Sequence, residues 1–466
     1  MFPVATRDVC VMFQPRRKAI ERRHERPIAT QRFQERNITY RHDSVPGQTA
    51  AHSWAADIGP GVISTAADND PSGIATYSLA GAQFGYDLLW TCVLSYPLIV
   101  ALQLVSARIA RLTGKGLTTN MREHYSRLWF FLAVARFLIA NTFNIAADVV
   151  AMGVAAQLLW HGSVPAFAAV FLVLSAVLQW FVPYPKYARV LRWLALSLFA
   201  YVVVDIALRL PWSTIAIKTL IPHVTWSVHY LEMLLAVLGT TISPYLLYSQ
   251  AEQQVEAQRP EQRTQVNRSA NGSRHERFQS LRADTLIRTA MSNAVALSIM
   301  IAAAASLHAG GEAVDTPVSL AGALAPIAGP FASHVLGLAL LSSALLALPP
   351  LAGSAAHAVA SGFNWHNDAS NDRRIAYTHI AVVALGGAVG VALAAMRFDP
   401  LRILYWSAVL NGTTATPVMV LLVLLSTKHS SVGDLSSHWT LRVLAWLATV
   451  GMGAAVAARY ACGWLS

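Results

Sequence analysis

The sequence predicts an all-α integral membrane protein of about eleven transmembrane helices. Of its 466 residues, 55% are apolar and only 13% are charged, where soluble domains run to about 45–50% and about 25%. The mean hydropathy is +0.44. Apolar stretches of about 20 residues, the length that crosses a bilayer, recur along the whole chain after its first fifty residues. This composition excludes a soluble enzyme, a disordered chain and a nucleic-acid-binding module as the main reading.

The first segment, 1–54, stands apart. Arg7, Arg16, Arg17, Lys18, Arg22, Arg23, Arg26, Arg32, Arg36 and Arg41 face only Asp8, Glu21, Glu25, Glu35 and Asp43, and they supply much of the net charge of +11. With no apolar run it is not a secretory signal. Its composition predicts a disordered cytoplasmic tail. A polybasic contact with anionic lipid headgroups is the alternative, and an upstream start-site misassignment would also explain it. The three cysteines, Cys10, Cys92 and Cys462, are far apart and lack metal-ligand spacing, so they read as free thiols.

Residues 55–466 form the membrane domain. Apolar stretches fall near 56–78, 86–110, 127–159, 165–183, 187–209, 229–256, 285–308, 332–361, 373–396, 401–426 and 438–463. The connections after even-numbered spans carry the Lys and Arg: Arg111, Lys115 and Arg122 after span 2, Lys186 and Arg189 after span 4, Arg259 through Arg282 after span 6, Arg373 and Arg374 after span 8. The gaps 79–85, 160–164 and 309–331 have none. The positive-inside rule then places the N-terminus in the cytoplasm, and an odd number of spans places the C-terminus outside. We expect a bacterial inner (plasma) membrane.

The connection after span 6, QRPEQRTQVNRSANGSRHERFQSLR, is polar and reads as a long flexible linker. The pairs Gly81/Gly85 and Gly386/Gly390 have the small-residue spacing of closely packed membrane helices. The run Thr113-Gly114-Lys115-Gly116 is not a phosphate loop, because no Gly precedes Gly114 by five positions and no Ser or Thr follows the Lys. Fifteen histidines form no ligand-type cluster.

Spans 1 and 6 are broken. Span 1 reads GPGVISTAADNDPSGIATYSLAGAQFGY, with Asp68, Asn69, Asp70, Pro71, Ser72 and Gly73 interrupting its apolar run. Carboxylates in mid-membrane cost about 2.5–3.5 kcal/mol each on insertion scales. Pro71 removes a backbone donor and Gly73 frees the chain to leave the helix. The carbonyls so released need a partner, and a cation is a suitable one. Span 6 reads LEMLLAVLGTTISPYLLYSQAEQQVE, with Gly239, Thr240, Thr241, Ser243 and Pro244 at mid-stretch. A plain proline kink accounts for span 6 taken alone, but not for the carboxylates of span 1. Broken helices in corresponding places point to an inverted-repeat transporter with its site at the midplane. Two inverted five-helix repeats of LeuT type are expected, about 55–210 and 228–427, with an extra helix at 438–463.

These residues resemble the natural resistance-associated macrophage protein (NRAMP) family over roughly 55–430. DNDPSGIATYSLAGAQFGYDLLW with SARIARLTGKGL looks like its spans 1 and 2, and GTTISPYLLYSQAE like its span 6. RADTLIRTAMSNAVA, LAGSAAHAVASG and LYWSAVLNGTTATPVMVLLVLL look like later spans. The resemblance implies a metal transporter, not an enzyme, with the metal as substrate and no cofactor. Members with the usual motifs are proton-coupled importers of manganese and iron.

The chain departs from those motifs. Asp70 and Pro71 match, but Ser72 and Gly73 replace the usual Gly and metal-binding Asn. Ser243 stands at the usual Met and Tyr245 at the usual His. After Asp148, Ala151 stands at a usual Glu. The pattern looks like the NRAMP-related magnesium transporters. The chemistry points the same way: a thioether favours transition metals, whereas Asp70, the hydroxyls of Ser243 and Thr240, and backbone carbonyls are hard oxygens suited to Mg2+. Gly73 and Ser243 also enlarge the cavity for a partly hydrated ion. Asp68 either adds charge at the mouth of the site or ends a helix through hydrogen bonds.

Asn141, Asn144 and Asp148 share one face of span 3. They form an interhelical hydrogen-bond network or line the exit route. Asn293 and Asn411 bridge to broken-helix backbone or line the pathway, and Tyr245 lies on it. The expected function is import of divalent cations, chiefly Mg2+ and also Mn2+, by alternating access without proton coupling. The alternatives are a proton-coupled Mn2+/Fe2+ symporter of the same fold, a non-transporting metal sensor, and an organic-substrate symporter, against which a span 1 carboxylate argues. The sequence leaves the oligomeric state open.

Overall fold

A computed structural model describes residues 68–263, 273–311, 314–365, 369–427 and 439–465. The basic tail 1–54 and most of the first half of span 1 lie outside them. The described residues form helices and turns, with no strand among them. In chain order they are α1 (Pro71–Phe84), α2 (Trp90–Thr113), α3 (Leu117–His124), α4 (Arg127–Trp160), α5 (Val164–Phe181), α6 (Tyr184–Ala195), α7 (Ala200–Ala207), α8 (Trp212–Leu220), α9 (Val228–Thr241), α10 (Pro244–Arg263), α11 (Ser273–Ala303), α12 (Pro317–Leu320), α13 (Ala325–Ala328), α14 (Ala332–Gly362), α15 (Ala369–Ala395), α16 (Pro400–Thr427) and α17 (Trp439–Leu465).

Among the described residues ten helical stretches are long and apolar enough to cross a membrane. The eleventh expected span is represented by α1, the half of span 1 after its break. The largest departures from the sequence reading lie at the ends of spans and in the connections. The polar linker after span 6 is helical as far as Arg263 and again from Ser273, because Gln, Glu and Arg are good helix formers once a span leaves the bilayer. Span 5 is divided by a 3-10 turn at Leu196–Phe199. The connections after spans 2 and 5 hold the helices α3 and α8.

The two halves of the bundle meet around α4 and α9. α4 packs against α14, α15 and α16, while α9 packs against α16, α17 and α1. Two helices face outward: on α5, Val170, Val173, Leu174, Val177 and Phe181 are exposed, and on α17, Trp439, Val443, Leu447 and Val450 are. Such apolar faces are stable against lipid rather than water. α17 is tied to α9 by an ion pair between Arg459 and Glu232, both largely buried.

The small-residue pairs do what their spacing predicts. A side chain at Gly81 would overlap the Met300 carbonyl of α11, and one at Gly390 the Ala146 carbonyl of α4. Gly85 differs from its partner, ending α1 at φ +57 beneath the His308 ring. The Thr113–Gly116 run is a helix ending, with Gly114 in the left-handed region and its N–H donating to Ala110 O at 2.8 Å.

A backbone contact as tight as that of Gly81 was not expected from spacing. A Cβ at Gly239 would lie 2.3 Å from Ala408 O and 2.4 Å from Gly412 N. α9 and α16 therefore touch backbone to backbone just before the span 6 break. Gly239→Val is expected to destabilise the bundle by about 1–3 kcal/mol, the usual cost of overpacking. Thermal denaturation of the detergent-solubilised protein would show it as a lowered midpoint, while Gly451→Val, at a position open on all sides, leaves the midpoint nearly unchanged.

Candidate cation site

Both breaks are present. The chain leaves helical geometry at Asn69 and Asp70 before α1, and at Ile242 and Ser243 between α9 and α10. Pro71 and Pro244 begin the helices that follow, where the missing N–H costs nothing and the fixed φ suits the first turn. Asp70 caps α1. Its Oδ1 accepts from Gly73 N at 2.7 Å and from Ser72 Oγ at 2.7 Å, and its carbonyl accepts from Ile74 N at 3.0 Å. Both side-chain hydrogen bonds are accepted by Oδ1. The residue is 2% exposed.

The two breaks face each other. A Cβ on Gly73 would lie 2.9 Å from Thr240 Oγ1 and 3.4 Å from Asp70 Oδ1. The N-terminal end of α1 thus meets the C-terminal end of α9, where unpaired carbonyls favour positive charge. Ser243, also buried, donates to Gly239 O at 3.1 Å and Thr240 O at 2.9 Å. Its proton is used in closing α9, so its lone pairs remain available. Asp70, Gly73 and Thr240 come together as expected, and Ser243 follows Thr240 by one turn. Tyr245 lies within electrostatic reach of Asp68, Asp70 and Asp148 around the break.

The remaining polar positions separate into two groups. Asn144 and Asn411 pair amide to amide, at 3.0 and 3.1 Å, with Ser407 donating to the same Asn144 oxygen. Asn141 donates to Leu351 O at 2.7 Å. These amides form the interhelical network, joining α4 to α14 and α16. Asp148 takes no part in it: both its carboxylate oxygens are buried without a hydrogen-bond partner. The expected bridge from Asn411 to broken-helix backbone is corrected, since Asn144 occupies its amide. Asn293 makes no such bridge either. Its Nδ2 is buried and unpartnered, and it lines a small polar cavity with Asp68, Gln103 and Thr241.

Three residues outside the sequence reading of the site hold the break. Ser343 of α14 donates to the Asn69 carbonyl, and the Asn69 side chain donates to Ser292 Oγ of α11 at 3.0 Å. Tyr77 Oη and Thr241 Oγ1 are hydrogen-bonded at 3.1 Å, which links α1 to α9. Tyr77 lies seven residues after Asp70, on the same helix face, and that spacing was the available signal. Nothing local marks Ser343. Among the described residues no three His, Cys, Asp or Glu side chains converge to hold a metal.

A buried carboxylate between two facing helix breaks, inside a bundle of apolar spans, defines a membrane transporter of LeuT-type fold rather than an enzyme. The chain belongs to the natural resistance-associated macrophage protein-like family, which matches residues 61–460. A mutant of the Eremococcus coleocola manganese transporter superposes with a TM-score of 0.65 at 19% identity, over 88% of this chain and 87% of that one. MhsT in complex with L-phenylalanine gives 0.61 at 13% identity, over 88% and 100%. A nucleobase-cation-symport-1 family transporter in a closed conformation gives 0.54 at 13%, over 87% and 91%. At these identities the likeness is one of fold.

With Asp70 replaced, only neutral oxygens would remain at the meeting of α1 and α9 to replace the hydration of a dication. Asp70→Ala and Asp70→Asn are expected to abolish divalent-cation uptake into proteoliposomes while the protein still elutes as a folded species. Wild-type uptake by a folded Asp70→Ala protein would refute the site.

Proposed function

We propose that the chain imports divalent cations, chiefly Mg2+ and also Mn2+, by alternating access and without proton coupling. Asp70 is the anionic anchor, Thr240, Ser243 and the freed carbonyls complete the oxygen set, and Asp68 adds charge beside it. Asp148, Tyr245 and Asn293 are assigned to the pathway, and the amide pair of Asn144 and Asn411 to the network beside it. The N-terminus is assigned to the cytoplasm on the charge of the connections, and 1–54 to a tail before the transport domain.

The observation that carries this reading is the span 6 break. It presents the hydroxyl of Ser243 where the usual family motif has a thioether, and Tyr245 where it has an imidazole. Mg2+ prefers oxygen and keeps several of its waters. The enlargement of the cavity expected at Gly73 is corrected: a Cβ there would already lie 2.9 Å from Thr240 Oγ1, so the glycine lets α1 and α9 approach and opens no room for water. A proton-coupled manganese symporter is the second reading, favoured by the unpartnered carboxylate of Asp148 near Asp70.

Uptake of Mg2+ and Mn2+ into proteoliposomes tests the choice of ion. Both should be carried, and Gly73→Asn combined with Ser243→Met should weaken Mg2+ uptake relative to Mn2+. A wild-type protein that carries Mn2+ and Cd2+ but excludes Mg2+ would overturn the assignment.

Uptake should also proceed without proton movement. Tyr, with an ordinary pKa of about 10, is a poor proton carrier near neutrality, and Asp148 has no hydrogen-bonded relay among the described residues. The membrane potential suffices as a driving force. Two charges crossing 100 mV gain about 4.6 kcal/mol, enough for a gradient of about 2000-fold. Internal pH recorded during Mg2+ uptake should stay constant. Stoichiometric acidification that vanishes in Asp148→Ala would return the protein to the coupled transporters.

A further inference from the structure

Arg288 sits half-buried on α11, and the site described above does not use it. Its Nη2 donates to Gln103 Oε1 of α2 at 2.9 Å and to Gln250 Oε1 of α10 at 2.8 Å. Both partners are neutral amides and leave its charge uncancelled. Its Nε is buried with no hydrogen-bond partner. A guanidinium held this way is costly unless an anion lies near. Asp284 lies one turn back on the same helix, at an exposed position. The other anion belongs to the span 1 break. Asp68 lines one polar cavity with Gln103, Thr289, Ser292 and Asn293. The next residue, Asn69, is tied to Ser292, one turn on from Arg288. Gln103 thus both accepts from the guanidinium and lines the cavity that Asp68 enters, which brings the two charges to neighbouring positions.

We propose that Arg288 is the built-in counter-charge of the cation site, resting on the assignment of Asp70 and Asp68 to that site. In the empty protein it offsets one of the two carboxylates at the break, so the bundle does not hold a doubly negative cavity in a medium that solvates charge poorly. In the loaded protein it repels the dication. It thereby weakens binding and speeds release, the balance that any conducting site requires. Arg288 is a positioning residue in this role: it touches no ion and acts through the charge of the site.

The test is uptake of Mn2+ and of Mg2+ by the full chain in proteoliposomes at a fixed inside-negative potential, with KM and Vmax determined separately. Arg288→Gln is expected to lower KM by about tenfold or more, since removing a nearby positive charge strengthens attraction for a dication, and to lower Vmax because release slows. Arg288→Gln with Asp68→Asn should bring KM back toward wild type. Gln103→Glu keeps a hydrogen bond to the guanidinium while cancelling its charge, and should lower KM in the same way even if Arg288→Gln does not fold. Arg288→Lys, which keeps the charge and loses the fork between two glutamines, should lower Vmax with little change in KM. A fall in Vmax at unchanged or raised KM in both Arg288→Gln and Gln103→Glu would overturn the proposal and leave Arg288 a strut between α2, α10 and α11. Absence of uptake of either ion by the wild-type protein would instead overturn the reading of the site itself.

Discussion

Inside a bilayer each backbone N–H and C=O must find its partner within the protein, and spans 1 and 6 both interrupt the ladder that supplies it. Much of the polar architecture answers that interruption. Asp70 takes the free N–H of Gly73 in the first turn of α1, Ser343 reaches across from α14 to the Asn69 carbonyl, and Ser243 turns back onto carbonyls of the last turn of α9. What is left after these repairs is a carboxylate oxygen, hydroxyl lone pairs and the negative end of a helix, gathered where α1 and α9 meet. The site is the residue of a hydrogen-bond problem that the fold solves incompletely, and a cation completes it.

The polar groups of the interior differ in how fully they are satisfied. Asn144, Asn411 and Ser407 bond to one another and Asn141 donates to Leu351 O, which suits a bolt between α4, α14 and α16. Asp148, Asn293 and Arg288 each keep a buried polar atom without a partner. Unsatisfied buried groups are costly, and besides these three they occur on several other helices, at Asn120, Tyr201 and Asp205 among others. What sets the surroundings of the breaks apart is charge, with two carboxylates at the span 1 break, a third on α4 and a guanidinium on α11.

The spans and both breaks were legible in the sequence, because twenty-residue apolar runs and the intrusion of Asp-Asn-Asp-Pro or Ser-Pro into them are local patterns. Asp70, Gly73 and Thr240 were legible for the same reason. The contacts from other helices were not. Ser343 looks like any serine in an apolar run, and only the packing of α14 brings it to Asn69. Asn411 was expected on broken-helix backbone but lies opposite Asn144, and amide pairs of that kind carry no spacing signal across 267 positions. Arg288 was concealed by its neighbours: it begins a span next to a basic connection, where a solvated arginine is the ordinary case. The polar stretch after span 6 misled in the other direction, since polarity reports contact with water and not the absence of a helix.

The contact of Gly239 with Ala408 and Gly412 has a mechanical consequence. Two backbones that close leave no room for one to slide along the other without a collision of carbonyls and Cα atoms. The first half of span 6 is thereby anchored to α16, as Arg459 anchors it to α17. The second half is seated separately, on α2 and α14, with Tyr245, Leu247, Tyr248 and Ala251 buried and Ser106 Oγ of α2 donating to Leu247 O at 2.6 Å. The peptide units between Thr241 and Pro244 therefore join two halves docked on different helices, and torsion about Ile242 and Ser243 is where the chain can accommodate a change in the angle between them.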